Sequence, residues 1–295
     1  MPGDNGDEEQ PAELAADDNG DDLSDAVIEG HLAVRATIAA SSREVKMLYV
    51  REDKLDRPAR TTVALAREAR IHVKTVAEHE IQALASGRTH GGIIAVVGAR
   101  RFLDPADLLG KDASIVVMLD GLEDPYNFGS CVRSLYAAGI DGLALPHRNW
   151  MSAAGVVTRA SAGASEHMPT AVFGSALAAA EFFRSHGYTV ACAADAPQAV
   201  PMYSCDFTRK VFLLIGGEKR GITRSFLSDA DTVVKIPYGR DTGIALDAAA
   251  ATAALAFEAL RQRSASKPAA APAPVPKRPD GRIDRRGRDL LRKRR

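Results

Sequence analysis

Short apolar segments rich in valine, isoleucine and leucine recur along residues 114–237, and stretches of helical periodicity separate them. Segments of this kind are typical of strands buried on both faces of a parallel sheet, with helices covering the two sides. The predicted strands are SIVVML, GLAL, PTAVF, TVACAA, VFLLIG and DTVVKIP. The predicted helices include FGSCVRSLYAAG, SALAAAEFFRSHG and LDAAAATAALAFEALRQR. The sequence therefore predicts an α/β domain with a parallel sheet over residues 114–263.

A smaller α/β domain is predicted over residues 26–98. Helical spacing in EGHLAVRATIAAS, TTVALAREAR and AEHEIQALAS alternates there with the apolar segments VKMLYV, IHVKTV and GGIIAVVG. Residues 99–113 mix proline, glycine and charged residues, which predicts a linker between the two domains.

The ends of the chain carry opposite charges, although the formal net charge is zero. Residues 1–25 contain ten acidic residues and no lysine or arginine, whereas residues 264–295 contain eleven basic and three acidic residues. Such compositions cannot bury enough apolar surface to offset the entropy lost on ordering, so both ends are predicted to be disordered tails. The basic tail is expected to attract phosphate backbones, with a plain solubilising tail as the alternative.

Several kinds of site are excluded by spacing. The cysteines Cys131, Cys192 and Cys205 form no C-x-x-C pair, and no histidine pair has metal-ligand spacing, so we expect buried thiols and no metal. The glycine patterns of dinucleotide-binding loops, phosphate-binding loops and serine-hydrolase elbows are also missing. No signal peptide or membrane-spanning segment is evident, which predicts a cytoplasmic protein without a membrane partner.

Polar residues cluster at the ends of three predicted strands, where parallel sheets bind ligands. In the first cluster Asn127 is predicted to cap a helix, Gly129 to keep its first turn open, and Arg133 to follow nearly two turns later near the same face. The alternative, a simple cap and a surface charge, stays open.

The second cluster, Gly216-Gly217-Glu218, ends an apolar strand. Paired glycines let a ligand approach the main chain, and the carboxylate of Glu218 can accept hydrogen bonds. A tight turn with Glu218 in water is the alternative. In the third cluster Pro237 stops a strand, and a helix begins near Leu246. This helix is apolar almost all round, which predicts that it lies both in the core and at a subunit interface.

Taken together, the three clusters resemble the motifs of the SpoU (TrmH) family of RNA ribose methyltransferases, in the SPOUT superfamily. The matching residues are Asn127, Gly129 and Arg133 for the first motif, Gly216 and Glu218 for the second, and Ile236, Pro237 and Leu246 for the third. The segment SAGASEH at residues 161–167 resembles a further family segment. The resemblance covers about residues 28–263, and its N-terminal part looks like the family's ribosomal-protein-like RNA-binding domain.

The resemblance implies a trefoil-knotted methyltransferase domain that pairs as a homodimer and methylates a ribose 2′-OH with S-adenosylmethionine. The RNA would be ribosomal rather than transfer RNA. The residues implied in cofactor binding are Gly216, Gly217, Ile236 and Leu246. The residues implied in catalysis are Asn127, Arg133 and Glu218.

The third motif departs from the family pattern Ser-Leu-Asn-x-Ser. Here Ala245, Asp247 and Ala249 replace the two serines and the asparagine. This departure keeps open the alternative of a non-catalytic RNA-binding protein with the same fold, and a transfer RNA substrate is the other alternative. An ordinary α/β enzyme acting on small molecules is disfavoured by the basic tail and the missing dinucleotide loop.

Overall fold

The computed structural model of the chain describes residues 25–87, 90–147, 153–217, 221–240, 243 and 245–266. Glu218 and nearly all of the two predicted tails lie outside the described residues.

The N-terminal unit is a four-stranded sheet with three helices. Its elements are β1 (Ala26–Glu29), α1 (His31–Ala40), β2 (Arg43–Arg51), α2 (Arg57–Glu68), β3 (Val73–Val76), α3 (Glu78–Leu84) and β4 (Ile93–Arg100). The strand order is β1-β4-β2-β3, in which β4 is antiparallel to both neighbours and β2 is parallel to β3. Strand β1 was not predicted, because its four residues run directly into the helical pattern of α1. Gly30, at a φ of 88°, makes the break between them.

The C-terminal unit is built around a seven-stranded sheet. Its strands are β5 (Ile115–Asp120), β6 (Gly142–Pro146), β7 (Thr170–Phe173), β8 (Thr189–Ala193), β9 (Val200–Pro201), β10 (Val211–Gly216) and β11 (Thr232–Lys235). Its helices are α4 (Pro125–Ala137), α5 (Ala154–Ala160), α6 (Ala164–His167), α7 (Ala176–Ser185), α8 (Arg224–Asp229) and α9 (Ala248–Ser266). The strand order is β7-β6-β5-β10-β8-β11-β9 and every pair is parallel, which confirms the predicted sheet type.

Each face of this sheet has its own apolar core. Alternate residues of β5 point to opposite faces, so Val117 packs in one core and Val116 in the other. Helices α4 and α9 contribute to the first core, and α7 and α8 to the second. The three cysteines are buried thiols, as expected, and burial raises the pKa of Cys192 to about 11. Among the described residues, no helix combines the length and apolarity that crossing a bilayer requires.

A buried ion cluster joins the two units. Glu166 of α6 lies 3.0 Å from the Arg43 guanidinium of β2, and the side chains are 1% and 5% exposed. Arg100 of β4 lies 3.8 Å from the other carboxylate oxygen, which also accepts a hydrogen bond from Thr158. Helix α1 packs against α5 and α6 beside this cluster. The N-terminal unit is therefore attached to the face of the C-terminal unit that carries α4.

Candidate functional site

The carboxyl ends of β5 and β10 meet at one edge of the large sheet. Gly216 pairs with Asp120 in the register of the two strands, and the Gly217 N–H donates to the Asp120 carbonyl at 2.7 Å. The loops that carry the first two polar clusters are therefore in direct contact, as the sequence led us to expect.

Glycine is required where these loops cross. A Cβ built on Gly217 would lie 2.0 Å from the Gly121 carbonyl oxygen, and one built on Gly216 would lie 2.8 Å from the Gly221 carbonyl carbon. Both distances are far below van der Waals contact, so a side chain at either position would force the loops apart. The described groups nearest to both glycines thus belong to neighbouring loops at the carboxyl edge of the sheet.

The first turn of α4 is capped differently from the prediction. Asp124, not Asn127, is the N-cap, since its carboxylate accepts from the main-chain N–H groups of Tyr126 and Asn127. Pro125 occupies the first helical position, where its fixed φ and missing N–H cost nothing. The Asp-Pro pair before the helix was a signal that sequence reasoning passed over. Asn127 lies half-buried in the first turn of α4. Its side-chain amide does not cap the helix and can bind another group.

Gly129 and Arg133 lie further along α4. A Cβ on Gly129 would lie 2.6 Å from the Ala160 Cβ, so this glycine permits the close approach of α4 to α5. Arg133 is exposed, and its guanidinium has no hydrogen bond or ion pair with the described residues. Because six residues of a helix turn through about 600°, Asn127 and Arg133 point roughly 120° apart. The expectation that they share a face was therefore wrong.

The third cluster follows β11. Ile236 is half-buried and packs against the core beneath α4 and α9. The Leu246 N–H donates to the Tyr238 hydroxyl at 3.0 Å, which ties the two ends of the intervening loop together. Leu246 itself is 43% exposed, an unusual position for a leucine. Asp247 caps α9, because its carboxylate accepts from the Ala250 N–H at 2.6 Å.

The described residues bring the loops after β5 and β10 into contact, whereas Ile236 follows β11, which β8 separates from β10 in the same sheet. Main-chain donors and acceptors next to apolar side chains suit a ligand with a heteroaromatic ring and polar edges. No group of three or more metal-ligating side chains occurs among the described residues. The fold defines an α/β protein with a parallel sheet, a class in which ligands bind at the carboxyl ends of the strands.

Two family models match this chain. Residues 114–257 match the SpoU rRNA Methylase family, and residues 27–103 match the RNA 2′-O ribose methyltransferase substrate binding domain. The chain therefore belongs to the SpoU rRNA methylase family, and the activity class is that of an RNA methyltransferase that uses S-adenosylmethionine. The expected family, α/β fold and cofactor are confirmed.

Curated relatives match over most of their length. The chain is 29% identical to the 23S rRNA (guanosine-2′-O-)-methyltransferase RlmB of Pseudomonas syringae, over 81% of this chain and 97% of that protein. It is also 29% identical to a Staphylococcus haemolyticus protein assigned to the TrmH family of tRNA/rRNA methyltransferases, over 82% and 97%. Among solved structures, the SpoU methyltransferase AviRb from Streptomyces viridochromogenes, in complex with AdoMet, shares the fold. Its TM-score is 0.70 at 23% identity, covering 83% of this chain and 92% of that chain.

Proposed function

We propose that this protein transfers a methyl group from S-adenosylmethionine to the 2′-OH of a ribose in ribosomal RNA. The observation that carries the proposal is the direct contact of the loops after β5 and β10 at the carboxyl edge, in a chain whose N-terminal unit matches a substrate-binding domain. The 23S rRNA activity named for the Pseudomonas syringae relative supports ribosomal over transfer RNA.

Four residues are proposed to hold the cofactor: Gly216, Gly217, Ile236 and Leu246. The crossing glycines, which leave no room for a side chain, would let the cofactor approach the main chain, while Ile236 and the exposed Leu246 would offer apolar contacts. When bound, S-adenosylmethionine supplies an activated methyl group. The protein positions the reacting groups and supplies the charged side chains around them.

Catalysis is proposed to depend on Asn127, Arg133 and Glu218. A guanidinium stays protonated well above neutral pH, so Arg133 is better suited to hold a phosphate and stabilise charge on the ribose oxygen than to remove a proton. Its exposure and its lack of a described counter-ion leave it available for this role. Asn127 would position the substrate, and Glu218 would orient Arg133 or the ribose.

The altered third motif is compatible with this activity. Asp247 caps α9 through its carboxylate, as an asparagine at the same position would through its amide oxygen. The start of α9 and the contact between Leu246 and Tyr238 therefore do not depend on the missing asparagine. This favours an active enzyme over a non-catalytic RNA-binding protein.

The protein is further proposed to be a cytoplasmic homodimer whose C-terminal domain forms a trefoil knot. Helix α9 buries one face against α4, but Phe257 on its outer side is 48% exposed. An exposed phenylalanine on a helix rich in alanine is suited to a subunit interface. Arg133 points away from its own core, so a partner subunit or the RNA itself would complete the site around it.

Replacing Arg133 by alanine tests the proposed function. We expect Arg133→Ala to abolish transfer of labelled methyl groups to cellular RNA, while calorimetry shows S-adenosylmethionine binding within a few-fold of wild type. Arg209→Ala, which removes another exposed arginine, is the control and should retain full turnover. Wild-type turnover by Arg133→Ala would refute the catalytic assignment. A wild-type protein that binds RNA but neither cofactor nor methyl groups would establish the non-catalytic alternative.

A further inference from the structure

Helix α2 of the N-terminal unit exposes arginines along one side. Arg57, Arg60 and Arg67 are all exposed, and their spacing places them within one stripe of the helix surface. We call these three residues the α2 arginine ridge. The opposite side of α2 faces the core of the N-terminal unit through Ala59, Thr62 and Ala66.

The positive charges of the ridge are not neutralised within the described structure. None of the three guanidinium groups forms a hydrogen bond or ion pair with a described residue. Arg51 in the same unit differs, since it lies 2.6 Å from Asp53 and 2.8 Å from Glu78. Although Asp56 and Glu68 lie at the two ends of α2, the three guanidinium groups are available to bind an anionic partner.

A fourth arginine follows the helix in an unfavourable backbone conformation. Arg70 has a φ of 58°, where the Ile71 N–H donates to the Ala66 carbonyl and the Arg70 N–H to the Arg67 carbonyl. This is a helix-ending motif in which glycine is preferred. A side chain other than that of glycine is unfavourable in the left-handed region, because its Cβ approaches the following carbonyl oxygen. The chain therefore carries an exposed positive charge where stability alone would favour glycine.

The ridge lies at a defined distance from the catalytic helix. Helix α2 packs on α1, α1 packs on α6, and α6 packs on α4, which carries Arg133. Because the axes of packed helices lie about 8–10 Å apart, the three contacts place the axes of α2 and α4 roughly 24–30 Å apart along this path. One turn of a nucleic-acid duplex is of similar length, roughly 34 Å.

We infer that the α2 arginine ridge, together with Arg70, binds the phosphate backbone of the RNA substrate about one helical turn from the ribose that is methylated. The inference rests on the proposed function and adds the surface and the mode of binding. Guanidinium groups form strong paired hydrogen bonds with phosphate oxygens. Contacts of this kind fix the position of an RNA without reading its sequence.

Salt dependence of binding tests the inference in the full-length chain. The variant combines Arg57→Gln, Arg60→Gln and Arg67→Gln, and the probe is a fluorescent 30-base-pair RNA duplex of mixed sequence, a length of roughly three turns. Each phosphate contact contributes about 0.9 to the slope of log affinity against log salt, so we expect the slope to fall by about 2–3. The unfolding midpoint should stay at the wild-type value, because the three side chains are exposed.

A control variant removes three arginines elsewhere, of which Arg184 and Arg209 are ion-paired. Arg184, Arg209 and Arg224 belong to the C-terminal unit, and Arg184 and Arg224 lie on α7 and α8, which pack on the opposite face of the large sheet from α4. Replacing all three by glutamine should leave the slope within about 0.5 of wild type if these residues make no phosphate contact. An equal fall in both variants, or no fall in the ridge variant, would overturn the inference.

Arg70→Gly separates binding from stability. Glycine adopts the left-handed conformation without strain, and this gain offsets its larger loss of chain entropy on folding, so the thermal midpoint should stay equal or rise. RNA affinity should nevertheless fall, with a slope smaller by about 1. Unchanged affinity would exclude Arg70 from the binding surface.

Methyl transfer distinguishes this inference from the proposed function. With saturating RNA, the ridge variant should keep the maximal rate and show only a raised KM for RNA. A ridge variant with wild-type binding overturns the inference and leaves the proposed function intact. A wild-type protein that transfers no methyl group overturns the proposed function, while the salt slopes still report on the ridge.

Discussion

Removing the charge of Glu166 is expected to destabilise the protein strongly. Glu166→Gln keeps the size of the side chain, but it removes the negative charge that faces the buried Arg43 and Arg100. Breaking a buried ion pair by removing one partner costs about 3–5 kcal/mol. Because the cluster joins the two units, we expect this loss to appear in urea unfolding followed by circular dichroism, with the N-terminal unit separating first.

An exposed ion pair provides the control. Arg209 lies 3.0 Å from Asp206, the same distance as in the buried pair, but the side chains are 80% and 51% exposed. Asp206→Asn should therefore cost no more than about 1 kcal/mol. The double variant Arg43→Met with Glu166→Gln should lose less than the sum of the two single losses, with a coupling of about 1–3 kcal/mol. Equal losses for Glu166→Gln and Asp206→Asn would refute the assignment of a buried ion cluster.

The effect of Glu166→Gln should also depend on pH. Burial opposes ionisation of Glu166, but Arg43 and Arg100 outweigh it, so the pKa of the carboxyl lies below its ordinary value of 4.5. A lowered pKa in the folded state means that the ionised group adds stability above about pH 4.5, and that this stability is lost as the pH falls. The difference between wild type and Glu166→Gln should therefore be constant near neutrality and shrink in acid. A difference that grows in acid would contradict this reasoning.

Two further predictions concern the site. Gly217→Ala would place a Cβ 2.0 Å from the Gly121 carbonyl oxygen, so we expect a stability loss of about 1–3 kcal/mol or more and loss of S-adenosylmethionine binding in calorimetry. Gly239→Ala, where nothing lies within 4 Å, should match wild type, and equal binding by both variants would disprove the crossing of the loops. Asp247→Ala should lose about 1 kcal/mol in thermal unfolding through loss of the α9 cap, whereas Asp247→Asn should be near neutral. Equal losses in the two would show that the cap is not what Asp247 provides.

The large sheet was predictable because its strands are short apolar runs with clear boundaries. All six strands predicted in the C-terminal unit occur, within one or two residues of their expected ends. The elements that were missed, such as α5, α6 and α8, have seven residues or fewer, too few for a periodic pattern to stand out. The two residues of β9 are likewise too short to be detected from composition.

The contacts that shape the site were harder to predict. The clash that makes Gly217 indispensable depends on the register of β10 beside β5, and local sequence carries no information on that register. The same applies to Glu166, whose partner Arg43 is 123 residues away along the chain. By contrast, the local sequence Asp124-Pro125 indicates the N-cap of α4. The prediction chose Asn127 instead of Asp124 as the capping residue.

The position of β10 in the large sheet has a consequence for biosynthesis. It lies between β5 and β8, both of which the ribosome produces earlier. Until residue 216 has emerged, the inner edges of β5 and β8 have no neighbour to pair with, and unpaired strand edges invite association with other chains. The nascent protein is therefore most exposed to aggregation in this interval, and the central strand closes the gap only when most of the polypeptide has been made.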